Sequence, residues 1–145
     1  MASEKGNNCS INFLKLVYQA VAWANVADNA ASSPLTSLYV SLHTADPTAS
    51  GNQQSSEAAY TSYARVAVVR TSSGWSIAGE TITNVNAITF PACTGGSETE
   101  TYVGVGTAAS GAGVLLWAGQ LTSPLAVSNG ITPSFAASQL SITEG

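Results

Sequence analysis

Charge is the scarcest thing in this chain. Only 8% of its 145 residues are Asp, Glu, Lys or Arg, against a usual share of about 25%. Its surface must be largely neutral and polar, which protects a free monomer poorly from association and sheds water cheaply against a partner. The four basic residues, Lys5, Lys15, Arg65 and Arg70, form no cluster able to neutralise a phosphate backbone, so no nucleic-acid partner is expected. One histidine, His43, is too few for most metal and acid–base constellations. Cys9 and Cys93 are too few and too far apart for a disulfide scaffold or a metal knuckle; they are two free thiols or a single bridge. Long apolar runs are missing as well. The best, residues 11–27, is interrupted by Lys15, Gln19 and Asn25 and has no clear cleavage-site pattern after it. Neither a membrane span nor a secretory signal is expected.

What the chain does have is apolar material in short pieces: 45% hydrophobic residues and a mean hydropathy of +0.18. That suffices for one core, and the reading is a single domain over residues 1–145. It comprises a flexible arm over 1–10, a helix over 11–29 and a β domain over 35–145. The helix rests on Phe13, Val17, Ala20, Val21 and Ala24 along one face, widened by Leu14 and Tyr18. Asn12, Lys15 and Gln19 lie opposite, and Ser10 is placed as the N-cap. Its apolar stripe needs cover, from the chain's own sheet or from a neighbouring subunit.

After Pro34 the period changes from helical to alternating, with Gly, Pro, Ser and Asn clusters between short apolar runs. Strands are expected at 38–43, 63–70, around Trp75 and Ile77, and at 81–83, 87–90, 99–106, 114–121 and 139–143. This pattern predicts a mostly β fold, an antiparallel β-sandwich or jelly-roll-like domain with one N-terminal α-helix. Val114, Leu115, Leu116 and Trp117 would be apolar on both faces of a strand. Such a strand is central in a two-layer core or is covered by another subunit.

Little chemistry is legible. Gly104, Gly106, Gly111 and Gly113 follow neither dinucleotide nor P-loop spacing, and a tight turn over 108–113 is the better reading; no cofactor is expected. His43 falls at a strand end, with Asp46 forming an Asx-type turn near Pro47. Glu98 and Glu100 would share a strand face, where charges guarding an exposed edge fit better than a calcium site. Arg65 and Arg70 stand out in so uncharged a protein. Each is a candidate for a buried or inter-subunit ion pair with Glu57 or Glu80, or a snorkelling surface residue. With Phe13, Val17, Val21 and Trp117 they make up the candidate interface and ion-pair residues. No catalytic, cofactor-binding or metal residue is expected, and no enzyme activity.

Several short motifs recur in a telling order: LYVSLHTADP (38–47), EAAYTSYARVAV (57–68), GW (74–75), NAITFP (86–91), SGAGVLLWAG (110–119) and GITPSF (130–135). The series resembles a family of small phage and prophage virion proteins, often labelled tail-fibre or structural proteins, from about Leu35 to the C terminus. One departure is Thr101-Tyr102, where the family pattern suggests a Thr-His pair.

The resemblance implies a non-catalytic virion structural protein of a tailed bacteriophage, made in the host cytoplasm. A head decoration or cement protein on the capsid exterior is the leading expectation. It would form homo-dimers or homo-trimers and bind the major capsid protein, with no membrane or nucleic acid involved. A tail or tail-fibre component is the alternative, and a carbohydrate-binding module using Trp75, Trp117, Tyr60 and Tyr102 is a further one.

Overall fold

A computed structural model describes residues 7–23 and 34–144. Helix α1 (Asn7–Gln19) is followed by β1 (Ser37–His43), β2 (Val66–Val69), β3 (Trp75–Ala78), β4 (Thr81–Asn84) and β5 (Ile88–Thr89). Then come β6 (Ser97–Gly106), β7 (Leu115–Ser128), β8 (Ser134–Phe135) and β9 (Ser141–Thr143). Among the described residues the protein is mostly β, with three antiparallel sheets and one N-terminal helix. No helix among the described residues is long and apolar enough to cross a membrane. The chain divides into two compact units, one of Met1–Thr36, Val69–Ala87 and Phe135–Gly145, the other of Ser37–Val68 and Ile88–Ser134.

In the first unit α1 packs on β3 of the sheet β3-β4-β9. Its buried face is Ser10, Leu14 and Tyr18, spaced four apart, and Tyr18 meets the fully buried Trp75 edge-on at 5.1 Å. The sequence pattern places Phe13, Val17 and Val21 at the centre of the stripe. Instead Phe13 and Val21 are 43% and 48% exposed and Val17 is half-buried. The large rings decide the rotation, because burying Tyr18 against Trp75 removes more apolar area from water than burying Val21 would.

The helix bounds also differ from 11–29. Ser10 is an interior helical residue and not the cap. The C-terminal end comes at Gln19, because Ala20 turns left-handed (φ 55°) and the Val21 N–H folds back to the Lys15 carbonyl at 3.1 Å. Residues 24–29 lie outside the described residues.

Asn84 ties the rest of this unit together. Its side chain donates to the Asn86 and Ala136 carbonyls at 2.8 and 2.9 Å and accepts from the Leu140 N–H at 2.9 Å, so a fully buried amide is well satisfied.

In the second unit the sheet order is β2-β1-β6-β7. β1 is buried on both faces: Leu38, Val40 and Leu42 on one, Ser41 and His43 on the other. Its antiparallel neighbour β6 sets Gly104 opposite Ser41 and Gly106 opposite Tyr39. β7 outruns its expected end at Leu121 and passes through Pro124. The ladder skips from Tyr102↔Gln120 to Glu100↔Leu125, so Pro124 sits in the interruption and its missing N–H breaks no rung. The two-residue strand β5, inside the strand expected at 87–90, pairs with β8, which the alternation did not separate from loop.

Candidate functional site

β7 is the last strand of its sheet, so one of its edges has no neighbour among the described strands. This answers the question posed by the apolar run at its start: the strand is not central. Val114 is 59% and Leu116 40% exposed, while Leu115 and Trp117 are half-buried. A one-residue bulge at Leu116 between the Val105↔Trp117 and Gly106↔Leu115 pairs turns the strand start. The Trp117 ring lies across Gly119, where a Cβ would come within 2.4 Å of it. A cavity of about 300 Å³ runs beside this segment, lined by Leu115 to Ala118 together with Asp46, Thr48 and Ala49. Asp46 accepts the Thr48 N–H at 2.8 Å in the expected Asx turn, which holds Thr48 at φ 62°.

A polar cluster surrounds Gly104, which also adjoins Leu115. His43 is fully buried, its Nδ1 bonded to the Ser55 carbonyl at 2.9 Å and its Nε2 to Ser41 Oγ at 2.9 Å. A carbonyl only accepts, so Nδ1 carries the proton and Nε2 receives the Ser41 hydroxyl. Burial lowers the His43 pKa, against smaller upward pulls from the Ser55 hydrogen bond and Glu57. A Ser–His hydrogen bond of this length occurs in nucleophile pairs; here Ser41, like His43, is fully buried. Gln53 fills the space left by Gly106 and Gly113, its Oε1 accepting the Ala108 N–H at 2.9 Å.

The loop between β6 and β7 is fastened by Arg65. Its guanidinium donates to the Ala108 carbonyl at 2.8 Å and the Gly111 carbonyl at 2.7 Å, and grips Glu57 with Nε and Nη2 at 2.6 and 2.8 Å. Tyr63 donates to the same Glu57 carboxylate at 3.0 Å. Arg65 therefore has the partner that the sequence offered it. Arg70, given the same candidate partners, has other ones: its guanidinium takes the carbonyls of Leu16, Val17 and Leu35. Leu16 and Val17 belong to the last turn of α1, where carbonyls lack helical partners and the dipole favours a cation.

Glu98 and Glu100 overturn the reading of edge-guarding charges, because β6 is an inner strand. Glu98 Oε1 accepts the N–H groups of Ala59 and Tyr60, both at 2.8 Å. Glu100 is fully buried and neither of its oxygens meets a donor among the described residues. Burial, and next the Glu98 carboxylate beside it, push its pKa up to about 8. Two carboxylates cannot both stay charged there. Glu100 is the one biased toward its protonated form, while Glu98 Oε1 already receives two backbone N–H groups. No group of three or more His, Cys, Asp or Glu side chains among the described residues could hold a metal ion.

The family model described as podophage GP4 fiber I protein gp80 matches residues 16–143. The chain belongs to this family. It is thus a bacteriophage virion structural protein, the class that the motif series suggests, with its place among the other proteins of the particle. No curated protein matches it. Within this fibre family member the four rings considered for carbohydrate binding do not form a surface: Trp75 and Tyr60 are buried, and only Trp117 and Tyr102 remain half-buried. Cys9 and Cys93 are both free thiols. Sequence reasoning missed the buried set of Gln53, Ser41 and Glu100. The one available signal was glycines recurring at alternate positions, Gly104 and Gly106, which leave room for bulky neighbours across the strand.

Proposed function

We propose that this chain is a non-catalytic subunit of a tail fibre, acting by contact with copies of itself and with other virion proteins. The observation that carries this reading is the placement of its groups. Those with chemical potential, Ser41, His43 and Glu100, are fully buried, whereas apolar residues on β7 and α1 face solvent. A protein that works by contact needs that arrangement, and an enzyme needs its reverse. The description of the family as a fiber protein favours the tail over the capsid exterior. The helix residues Phe13, Val17 and Val21 and the strand residue Trp117 are offered as contact residues.

Electron microscopy of particles carrying a tagged copy tests this. A few copies at the tail are expected; density repeated over the capsid lattice would reject the fibre reading in favour of decoration. Removal of residues 1–29 should lower occupancy on particles, and unchanged occupancy would remove the helix from the contact set.

A further inference from the structure

We propose that the open edge of β7 pairs antiparallel with β7 of a second copy of this chain, about a two-fold axis near Ala118. The inference deepens the fibre reading by naming the surface through which the subunit meets itself.

Three observations lead there. First, an edge strand presents a row of unmet N–H and C=O groups, and proteins normally guard it with charge, proline or bulges. Here the guards stand only at the ends. The bulge at Leu116 and the interruption holding Pro124 leave a regular stretch from Trp117 to Gln120 between them.

Second, no Asp, Glu, Lys, Arg or His occurs from Thr101 through Thr143. Two-fold pairing of a strand with itself sets each charge near its own copy, which repels. A segment with no charges at all is electrostatically self-complementary. The strand itself offers a charged partner nothing to recognise; the one charged residue lining the cavity beside it is Asp46.

Third, the exposed Val114 and Leu116 lie beside this stretch and give a strand pair apolar area to bury along with its hydrogen bonds.

The test uses the full chain. Sedimentation equilibrium should give twice the 14.7 kDa chain mass at high concentration. Leu116→Lys with Gln120→Lys, both exposed positions, should sediment as a monomer at that concentration while keeping its circular dichroism and melting temperature. The corresponding Leu116→Glu with Gln120→Glu chain should also be monomeric, and mixing the two should restore a dimer containing one of each. In a Cys9→Ser background, Ala118→Cys should cross-link chains more readily than cysteine placed at Val114 or Thr122.

A wild-type chain that stays monomeric overturns the proposal. So do charge variants that remain dimeric alone, since another surface then holds the pair. Each result is independent of where microscopy places the chain, so failure of the edge and failure of the fibre reading are distinguishable.

Discussion

Arg65 and Glu57 form a two-pronged ion pair, 2.6 and 2.8 Å, whose cation also holds the Ala108 and Gly111 carbonyls. One side chain thus fixes the loop that leads into β7. Replacement by Lys keeps the charge but supplies no planar fork, so it cannot meet a carboxylate and two carbonyls together. Arg65→Lys should cost about 1–2 kcal/mol, and Arg65→Ala about 2–3 kcal/mol because the half-buried Glu57 loses its cation and keeps only the Tyr63 hydroxyl. Urea unfolding measures both. Hydrogen exchange should show the loss concentrated in residues 107–114, and a uniform loss across the sheet would contradict the clamp.

Arg70 does a different task with the same chemistry. It supplies donors to the Leu16 and Val17 carbonyls at the end of α1, in the place of a carboxylate partner. Arg70→Ala should destabilise the first unit by about 1–2 kcal/mol, the range for a cap with a favourable dipole contact. Amide exchange at residues 16–21 should speed up. Arg70→Lys should recover part of the loss, because an ammonium retains the charge and can meet one carbonyl at a time.

These two arginines mark how far sequence could reach. Their rarity among neutral residues made them conspicuous, and Glu57 was within a short chain distance of Arg65. Nothing local indicated that Arg70 would meet helix carbonyls, because that contact joins segments over fifty residues apart. Alternation found most strands, since period two is a property of neighbours. It ended β7 early because Ser123-Pro124 reads as a stop, and only the pairing partner shows that the ladder skips there. The helix stripe was found but rotated, since the position of Trp75 decided which of its residues went inside. Asp46 was read correctly because an Asx turn is local. Glu100 was misread because strand order, and hence burial, is not local.

Glu100 should make stability fall as pH rises from about 4.5 to about 8. Its folded pKa, about 8, lies above the ordinary value of 4.5, so the folded state binds the proton more tightly than the unfolded chain. The resulting stability is complete below about pH 4.5 and is lost as pH rises through 8. Glu100→Gln keeps a donor for Glu98 without a titrating proton. It should raise stability at pH 8 by about 1–3 kcal/mol and flatten the slope between pH 5 and 8. Chemical denaturation across that range is the measurement. An unchanged slope would place the proton elsewhere.

His43 acts in the opposite sense, and Gly104 lets it do so. Burial lowers the His43 pKa below 6.5, so the unfolded chain takes up the proton more readily; stability is complete above pH 6.5 and falls as the solution is acidified. The charges nearest in effect are Glu57, which pulls the pKa up, and Arg65, which pulls it down. A Cβ on Gly104 would stand 2.7 Å from His43 Nε2 and 2.9 Å from both Ser41 Oγ and Leu115 Cδ1. It would displace the Ser41 hydroxyl from the ring and push Leu115 toward the cavity. Gly104→Ala should therefore cost about 2–4 kcal/mol, combining overpacking with a lost buried hydrogen bond. His43→Gln should lose stability at pH 7 yet show a shallower decline between pH 6.5 and 5, and thermal melts over that range would register both. A decline as steep as that of the unmodified chain would mean that His43 is not the group taking up the proton.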